Sequence, residues 1–296
     1  MSTVSETTKV PVVSITAKCL PEAWEKAMLA VWDNGVDVKT QYDKPSDPPS
    51  KDATVIVTVE EPLSEPRIHK NFPGGPVELE TYRQEVINGI HDHWIDPNAG
   101  KWTYTYHQRL FAYCPVDNIG CTNSSNPFEP VNQIQCIVDK LAETLHTRRA
   151  QAITWIPTAD ANIDDPPCLQ RVWGRLIEDA NGKVGLNMNT HWRSRDLYKA
   201  WFMNAYAFTD LARLIAEQIS QKIKRQVTVS RYVDISDSLH IYGSYFEDAA
   251  AEVEKMRNTS FALRSWSSDH PAFKMMTLEA KEKLSGDPDW YAKSKG

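Results

Sequence analysis

The stretch DDPPCLQRVWG, residues 164–174, sets one cysteine, Cys168, directly after two prolines and ahead of a strand-like run. A thiol at the end of so stiff a turn is either packing or a nucleophile. A free cysteine is mostly protonated at neutral pH, and nearby cations convert it to a reactive thiolate. Two segments could supply that field: Arg148 with Arg149, and Arg193-Ser194-Arg195-Asp196. Arginine forks also grip phosphate through two hydrogen bonds at once. A thiol and several arginines in one site would make a nucleophile acting on a phosphorylated substrate. The competing reading is structural. Lone cysteines are commonly small buried hydrophobes, and paired arginines at a helix end commonly serve its carbonyls. Composition and spacing alone favour that structural reading.

The elements that must position these groups follow from periodicity. Residues 21–34 put Trp24, Ala27, Met28, Val31 and Trp32 on one helical face, with Gly35 closing it. Residues 40–52, rich in Pro, Ser, Asp and Lys, predict an exposed loop, and ATVIVTVEEP a strand. Pro76 opens a helix over 76–90. A second helix, over 131–146, carries Ile134, Ile137, Val138, Leu141 and Leu145 at helical spacing. The strand AQAITWIP comes next. After Cys168, two strands flank an Asn181-Gly182 hairpin signal. Residues 197–224 hold the longest helical pattern. VTVSRYVDI reads as a strand, and SLHIYGSYFEDAAAEVEKM leads into a last firm helix. This order predicts an α/β (α+β) fold, a single domain with a large mixed, mostly antiparallel sheet flanked by helices. Residues 1–10 are expected to be frayed, 11–260 to form the catalytic domain, and 261–296 to be a C-terminal extension.

The totals exclude several classes. A net charge of −6 argues against broad, sequence-independent nucleic-acid binding. No apolar run reaches the ~18 residues that a bilayer demands. The start, MSTVSETTKV, lacks the form of a signal peptide, so a cytoplasmic location is expected. The five cysteines are odd in number and unevenly spaced, which predicts reduced thiols. No pair has zinc-ribbon spacing and no HExxH occurs, so no metal is expected.

Six segments fall in the order of one known family: VNQIQCIVDKL, TRRAQAITWIP, PPC, WRSRD, Asn204 and SLHIY. Two spacings agree as well: 19 positions from Arg149 to Cys168 and 11 from Arg193 to Asn204. Over roughly residues 76–250 the chain resembles the thymidylate synthase superfamily, which includes the pyrimidine nucleotide hydroxymethylases. The resemblance implies a large mixed sheet, a homodimer, and transfer of a one-carbon unit from 5,10-methylenetetrahydrofolate, or a related pterin, to C5 of a pyrimidine nucleotide. By that resemblance Cys168 attacks C6 of the base. Arg193 and Ser194 contact the phosphate, and Arg148 and Arg149 reach the partner subunit's phosphate. Asp196 meets the base through its backbone, and Asn204 reads the uracil edge. His240 and Tyr242 hold the sugar 3′-hydroxyl. Glu78 organises water and proton transfer beside Tyr106, and Trp94 and His91 line the folate side.

Each residue also has a structural alternative. Glu78 can serve the helix dipole, with Glu80 as its rival. His240 and Tyr242 can be ordinary strand neighbours. Trp155, Trp173 and Trp201 read as core. The chain also departs from the family pattern. Leu169 follows the cysteine in place of a histidine, and Trp192 precedes Arg193 in place of a glutamine. His91 stands where many synthases have a tryptophan. Lys44 and Lys51 are substitutes for an N-terminal phosphate-binding arginine. The tail DPDWYAKSKG differs from the short apolar tail that closes over ligands in ordinary synthases. The expected reaction is methylation of dUMP to dTMP, with hydroxymethylation of dUMP or dCMP as runner-up. A nucleotide- or RNA-binding protein without the chemistry is the reading from another class.

Overall fold

The computed structural model describes residues 7–116 and 128–295; the rest of the segment expected to fray, residues 1–6, and Cys121 lie outside the described residues. The chain opens with β1 (Val12–Ala17), α1 (Leu20–Asn34), β2 (Val36–Val38), β3 (Ser50–Val59) and β4 (Ile68–His69). Next come α2 (Pro76–Asn88), α3 (Tyr106–Phe111), α4 (Gln133–Glu143), β5 (Gln151–Ile153) and the single turn α5 (Pro157–Asp160). A hairpin of β6 (Leu169–Glu178) and β7 (Val184–Trp192) leads to β8 (Arg195–Asp196), α6 (Phe202–Ile223) and β9 (Val227–Ile241). The chain continues through α7 (Phe246–Asn258), α8 (Phe261–Arg264), β10 (Ser265–Trp266), α9 (Pro271–Gly286) and α10 (Trp290–Ser294).

The main sheet has eight strands in the order β1-β3-β9-β7-β6-β5, with β2 added to β3 and β8 to β9. Pairs β1–β3, β7–β9 and β8–β9 are parallel and the others antiparallel, so the sheet is mixed, as the order of elements predicts. The β6–β7 hairpin turns at Gly182, whose φ of 78° is open to glycine at little cost. Helices α1 and α6 cover one face. Trp24, Ala27, Met28 and Val31 of α1 are fully buried, each large apolar side chain contributing about 1.5–3 kcal/mol. The Trp24 indole donates to the Leu197 carbonyl at 2.9 Å, tying α1 to the segment that enters α6.

Two features differ from the expectations, and a third adds to them. β9 does not stop at Ile235 but runs through to Ile241. A register shift between Ala53 and Val55 of β3 absorbs the polar residues Asp237 and Ser238, so the ladder resumes at Leu239. The region 261–286 is packed against the body. Arg264 forms a two-point ion pair with buried Glu25 (2.7 and 2.8 Å), and Phe273, Ala280 and Leu284 of α9 are buried. Finally, Cys114 is disulfide-bonded, correcting the expectation that all the thiols are reduced; among the described residues Cys19, Cys136 and Cys168 are free. Odd count and uneven spacing do not report which cysteines the fold brings together. Among the described residues no helix is long and apolar enough to cross a membrane, and no group of three His, Cys, Asp or Glu side chains could hold a metal ion.

Candidate active site

Cys168 sits at the head of β6, where a register shift between Leu169 and Arg171 breaks the β6–β7 ladder. Its carbonyl accepts from the Arg193 amide at 2.9 Å, and the next amide, Leu169, donates to the Tyr106 hydroxyl at 3.3 Å. The Arg193 guanidinium donates to the Pro167 carbonyl at 3.1 Å and also to that of Pro166. The strap carrying Cys168 is thus clamped by the residue expected to bind phosphate. Burial pushes the Cys168 thiol above its ordinary pKa; Arg193 and Arg195 pull it back and Asp165 opposes them. The resting group is therefore a thiol. Two arginines do not overcome its desolvation because Arg193 is engaged with carbonyls and Asp165, and Arg195 is paired with Asp234.

Cys168 lines a cavity of about 770 Å³, and so do Tyr106, Arg193, Ser194, Asp196 and Asn204. His240 and Tyr242 line it as well. Asn204 lies in the first turn of α6, after a single wider turn, Leu197–Trp201. It is buried, and its amide donates to the Tyr82 hydroxyl of α2 at 2.6 Å. Asp196 caps the entry to α6, accepting from the amides of Tyr198 (2.9 Å) and Lys199 (3.1 Å). Burial nonetheless pushes its carboxyl up to about 6. His240 is buried and pushed down to about 4 by desolvation, so its imidazole is neutral at neutral pH. Its ring packs edge-on to Tyr242, with centroids 4.5 Å apart.

Beneath this floor lies Trp192, which occupies the position expected to hold a glutamine. It is buried, edge-on to Tyr106 (5.6 Å) and Phe208 (5.3 Å), with the Arg195 guanidinium 4.0 Å above its ring. An indole there closes the cavity with an apolar wall and holds Arg195 by a cation–π contact.

Other expected residues lie elsewhere. Glu78 starts α2 and is ion-paired to Lys295, outside the cavity. Arg148 and Arg149 are exposed on the approach to β5 and do not line the cavity either. His91 stacks flat on Trp94 (3.8 Å, 8°) and meets Glu85 at 2.9 Å; the Trp94 indole donates to Asp289 at 2.7 Å. Neither ring lines the Cys168 cavity or the pocket beside it, but Trp102 packs edge-on to Trp94 at 4.8 Å and lines the latter. That second pocket, about 530 Å³, adjoins the first through Tyr106, Asp164 and Asp165, and Glu85 and Tyr104 also line it. Lys51 pairs with Asp37 at 3.1 Å and Lys44 is exposed, whereas Lys39 lines the main cavity.

Sequence reasoning missed Tyr82, Glu85, Trp102, Asp52 and Lys39. Glu85 carried a signal: it lies seven residues after Glu78, on the same face of α2. Gly89 sets where that helix ends. It adopts a left-handed φ of 64°, and its Cα lies so close to His107 and Asp92 that a side chain would collide.

The family model for thymidylate synthase matches residues 81–281, more than half of the chain. Among curated proteins the chain is similar to one from Methanosarcina acetivorans, described as "Putative thymidylate synthase", at 27% identity over 231 residues (77% of this chain, 88% of that protein). A protein of the same description from Methanocaldococcus jannaschii is 27% identical over 225 residues, covering 74% and 86%. Among solved structures, the thermostable thymidylate synthase A from Bacillus subtilis superposes with a TM-score of 0.53 at 15% identity, covering 80% of this chain and 84% of that one. At that identity the superposition speaks for the fold.

Proposed function

The chain belongs to the thymidylate synthase family, a family of transferases, and from that premise we propose that it transfers a one-carbon unit to C5 of a uracil nucleotide through a covalent Cys168 adduct. The acceptor that the family resemblance implies is dUMP, and the product dTMP. The observation that carries the reading is the convergence of one free cysteine, a buried asparagine and a neutral histidine on a single cavity.

C5 of uracil is a poor nucleophile. Once its proton has passed to solvent in the cavity, the Cys168 sulfur adds at C6 as a thiolate and pushes an electron pair into the ring, and negative charge develops at O4. The Asn204 amide, fixed by Tyr82, is placed to stabilise that charge. Ser194 and Arg193 hold the phosphate, a role open to Arg193 because about a third of its side chain is exposed. The His240–Tyr242 pair holds the sugar. The carboxylate we assign to water organisation and removal of the C5 proton is Glu85, because it lines the pocket beside Tyr106, whereas Glu78 is engaged by Lys295.

The second pocket suits the folate. Its aromatic walls, Trp102 and Tyr104, match a flat pterin ring, and His91 with Trp94 braces Trp102 from behind. Methylenetetrahydrofolate bound there supplies the one-carbon unit. Exposed Arg148 and Arg149, with exposed Ile153 (40%) and Ile177 (50%) on the sheet, support a homodimer in which the two arginines serve the partner's site.

A second reading, hydroxymethylation, has an observation of its own. The segment α10 and Lys295 rest on Glu78, His93 and Trp94, and do not line the Cys168 cavity. An unsealed cavity admits water, which would capture the C5-methylene intermediate before reduction.

Tritium release from C5-labelled dUMP with methylenetetrahydrofolate tests the shared chemistry. The wild type releases tritium and Cys168→Ala does not. Nucleotide binding without release would favour the binding-protein alternative. Mass spectrometry separates the two products, which differ by one oxygen. Light scattering that returns a monomer counts against the roles of Arg148 and Arg149.

A further inference from the structure

One corner of the main cavity contains buried polar atoms that the protein leaves unpaired. Asp52 on β3 and His240 on β9 face each other directly in the antiparallel ladder. Both line the cavity together with Ser238 and Tyr242. The Ser238 hydroxyl donates to Asp52 Oδ2 at 2.8 Å and lies 3.3 Å from His240 Nδ1. Asp52 Oδ1 and His240 Nε2 are buried and have no partner, and His240 as a whole is 6% exposed. Buried polar atoms are rarely left so, and a cavity-lining pair of them points to what the ligand brings.

Hydrogen-bond arithmetic fixes what that is. Ser238 has one hydroxyl proton, and the shorter contact places it on Asp52. The imidazole is neutral, and its Nδ1 then carries the ring proton, directed at the Ser238 hydroxyl. His240 Nε2 is left as a lone pair. Burial pushes the Asp52 carboxyl above its ordinary range, while the Ser238 hydroxyl and the Ala53 amide, both donating to it, favour the charged form in which Oδ1 is a carboxylate oxygen. Both unpaired atoms are therefore acceptors, and one hydroxyl, with its single hydrogen, cannot satisfy both. A phosphate, which brings no proton, would be repelled by Asp52. Two adjacent hydroxyls satisfy both atoms at once.

We propose that Asp52 and His240 together recognise the 2′,3′-diol of a ribose, so that the acceptor bound best is a pyrimidine ribonucleotide rather than its 2′-deoxy form. This rests on the reading of the cavity as a nucleotide site and extends it in the sugar. His240 takes one hydroxyl, beside Tyr242, and Asp52 takes the other. Asp52 is the specificity-determining residue, because its oxygen is the acceptor that a deoxy sugar leaves unpaired.

Calorimetry with UMP, dUMP and 2′,3′-dideoxy-UMP on the full chain tests this. The wild type should bind UMP about 10- to 100-fold more tightly than dUMP, the range for a hydrogen bond to a charged acceptor, and dUMP more tightly than the dideoxy form. Asp52→Ala should remove the UMP–dUMP gap while leaving the dUMP–dideoxy gap in place, a pattern that general damage to the site would not give. Wild type that binds dUMP as well as or better than UMP overturns the proposal without touching the nucleotide reading. A gap unchanged in folded Asp52→Ala also overturns it. Wild type that binds none of the three overturns the nucleotide reading itself.

Discussion

Two buried polar regions meet at Leu169 and obey opposite rules. Below the strap lies Arg109 with Asp160, both 0% exposed. Arg109 pairs with Asp160 at 2.8 and 3.0 Å and donates to the Thr154 carbonyl at 2.6 Å; Asp160 also accepts the Ile156 amide at 2.6 Å. Thr154 in turn donates to the Leu169 carbonyl, one residue past Cys168. Above the strap, the cavity holds polar groups whose pairing stops short: Asp52 Oδ1 and His240 Nε2 have no protein partner. A charge pair sealed in the interior holds a fold in one geometry, whereas polar groups on a cavity wall can be completed by something else. Burial alone does not distinguish the two; both oxygens of Asp160 are held by Arg109, whereas Asp52 lines the cavity with one oxygen unpaired.

The comparison can be broken at several points. The largest expected effect is Cys168→Ser, which should cut tritium release by about 10⁴-fold or more while leaving the thermal midpoint near that of the wild type. Retained activity would remove the nucleophile from the account. Next comes the sealed pair. Arg109→Met leaves the Asp160 charge buried and unpaired and should cost about 3–5 kcal/mol in urea denaturation. The double variant Arg109→Met/Asp160→Leu should recover much of that loss, because the two apolar groups leave no stranded charge. Asn204→Ala, on the cavity wall, should lower kcat/KM about 10²-fold with little change in stability.

The smallest effect sharpens the contrast through pH. Asp196 is pushed up to about 6 in the fold, against an unfolded value of about 4. Between these values the native state holds the extra proton, so stability falls as pH rises through the window. His240, pushed down to about 4, acts oppositely. The unfolded chain takes up its proton below about pH 6.5, so stability falls as pH drops. The two slopes oppose each other between pH ~4 and ~6. Asp196→Asn keeps the cap and removes one slope, so stability should rise more steeply with pH across that window, by up to about 2 kcal/mol. Chemical denaturation at three pH values checks it, and an unchanged slope would mean that Asp196 is ionised throughout.

Much of the fold was legible from periodicity. The apolar face of α1, the Asn181-Gly182 turn and the long α6 pattern all record local rules that act within a few residues. The misses are positions where another segment decides. β9 continues past Ile235 because β3 offers a paired edge and a bulge, neither of which is written in VTVSRYVDI. Glu78 and Glu85 share one face of α2 two turns apart, and periodicity cannot say which end of a helix meets a cavity. Lys39 carried no signal against Lys44 and Lys51, because all three lie in or beside a polar loop whose path is set by the strand ends it joins.

The chain order and residue types determined the family and the mixed sheet and singled out Cys168 as the proposed nucleophile, since these depend on side-chain chemistry and on spacing along the chain. Only the tertiary structure decided that Cys168 rests as a thiol, that Arg193 is bonded to the strap's own carbonyls, and that Asp52 stands opposite His240. Desolvation, charge and hydrogen-bond satisfaction depend on distance through space, and two strands some 190 residues apart in the chain have no distance until the sheet forms.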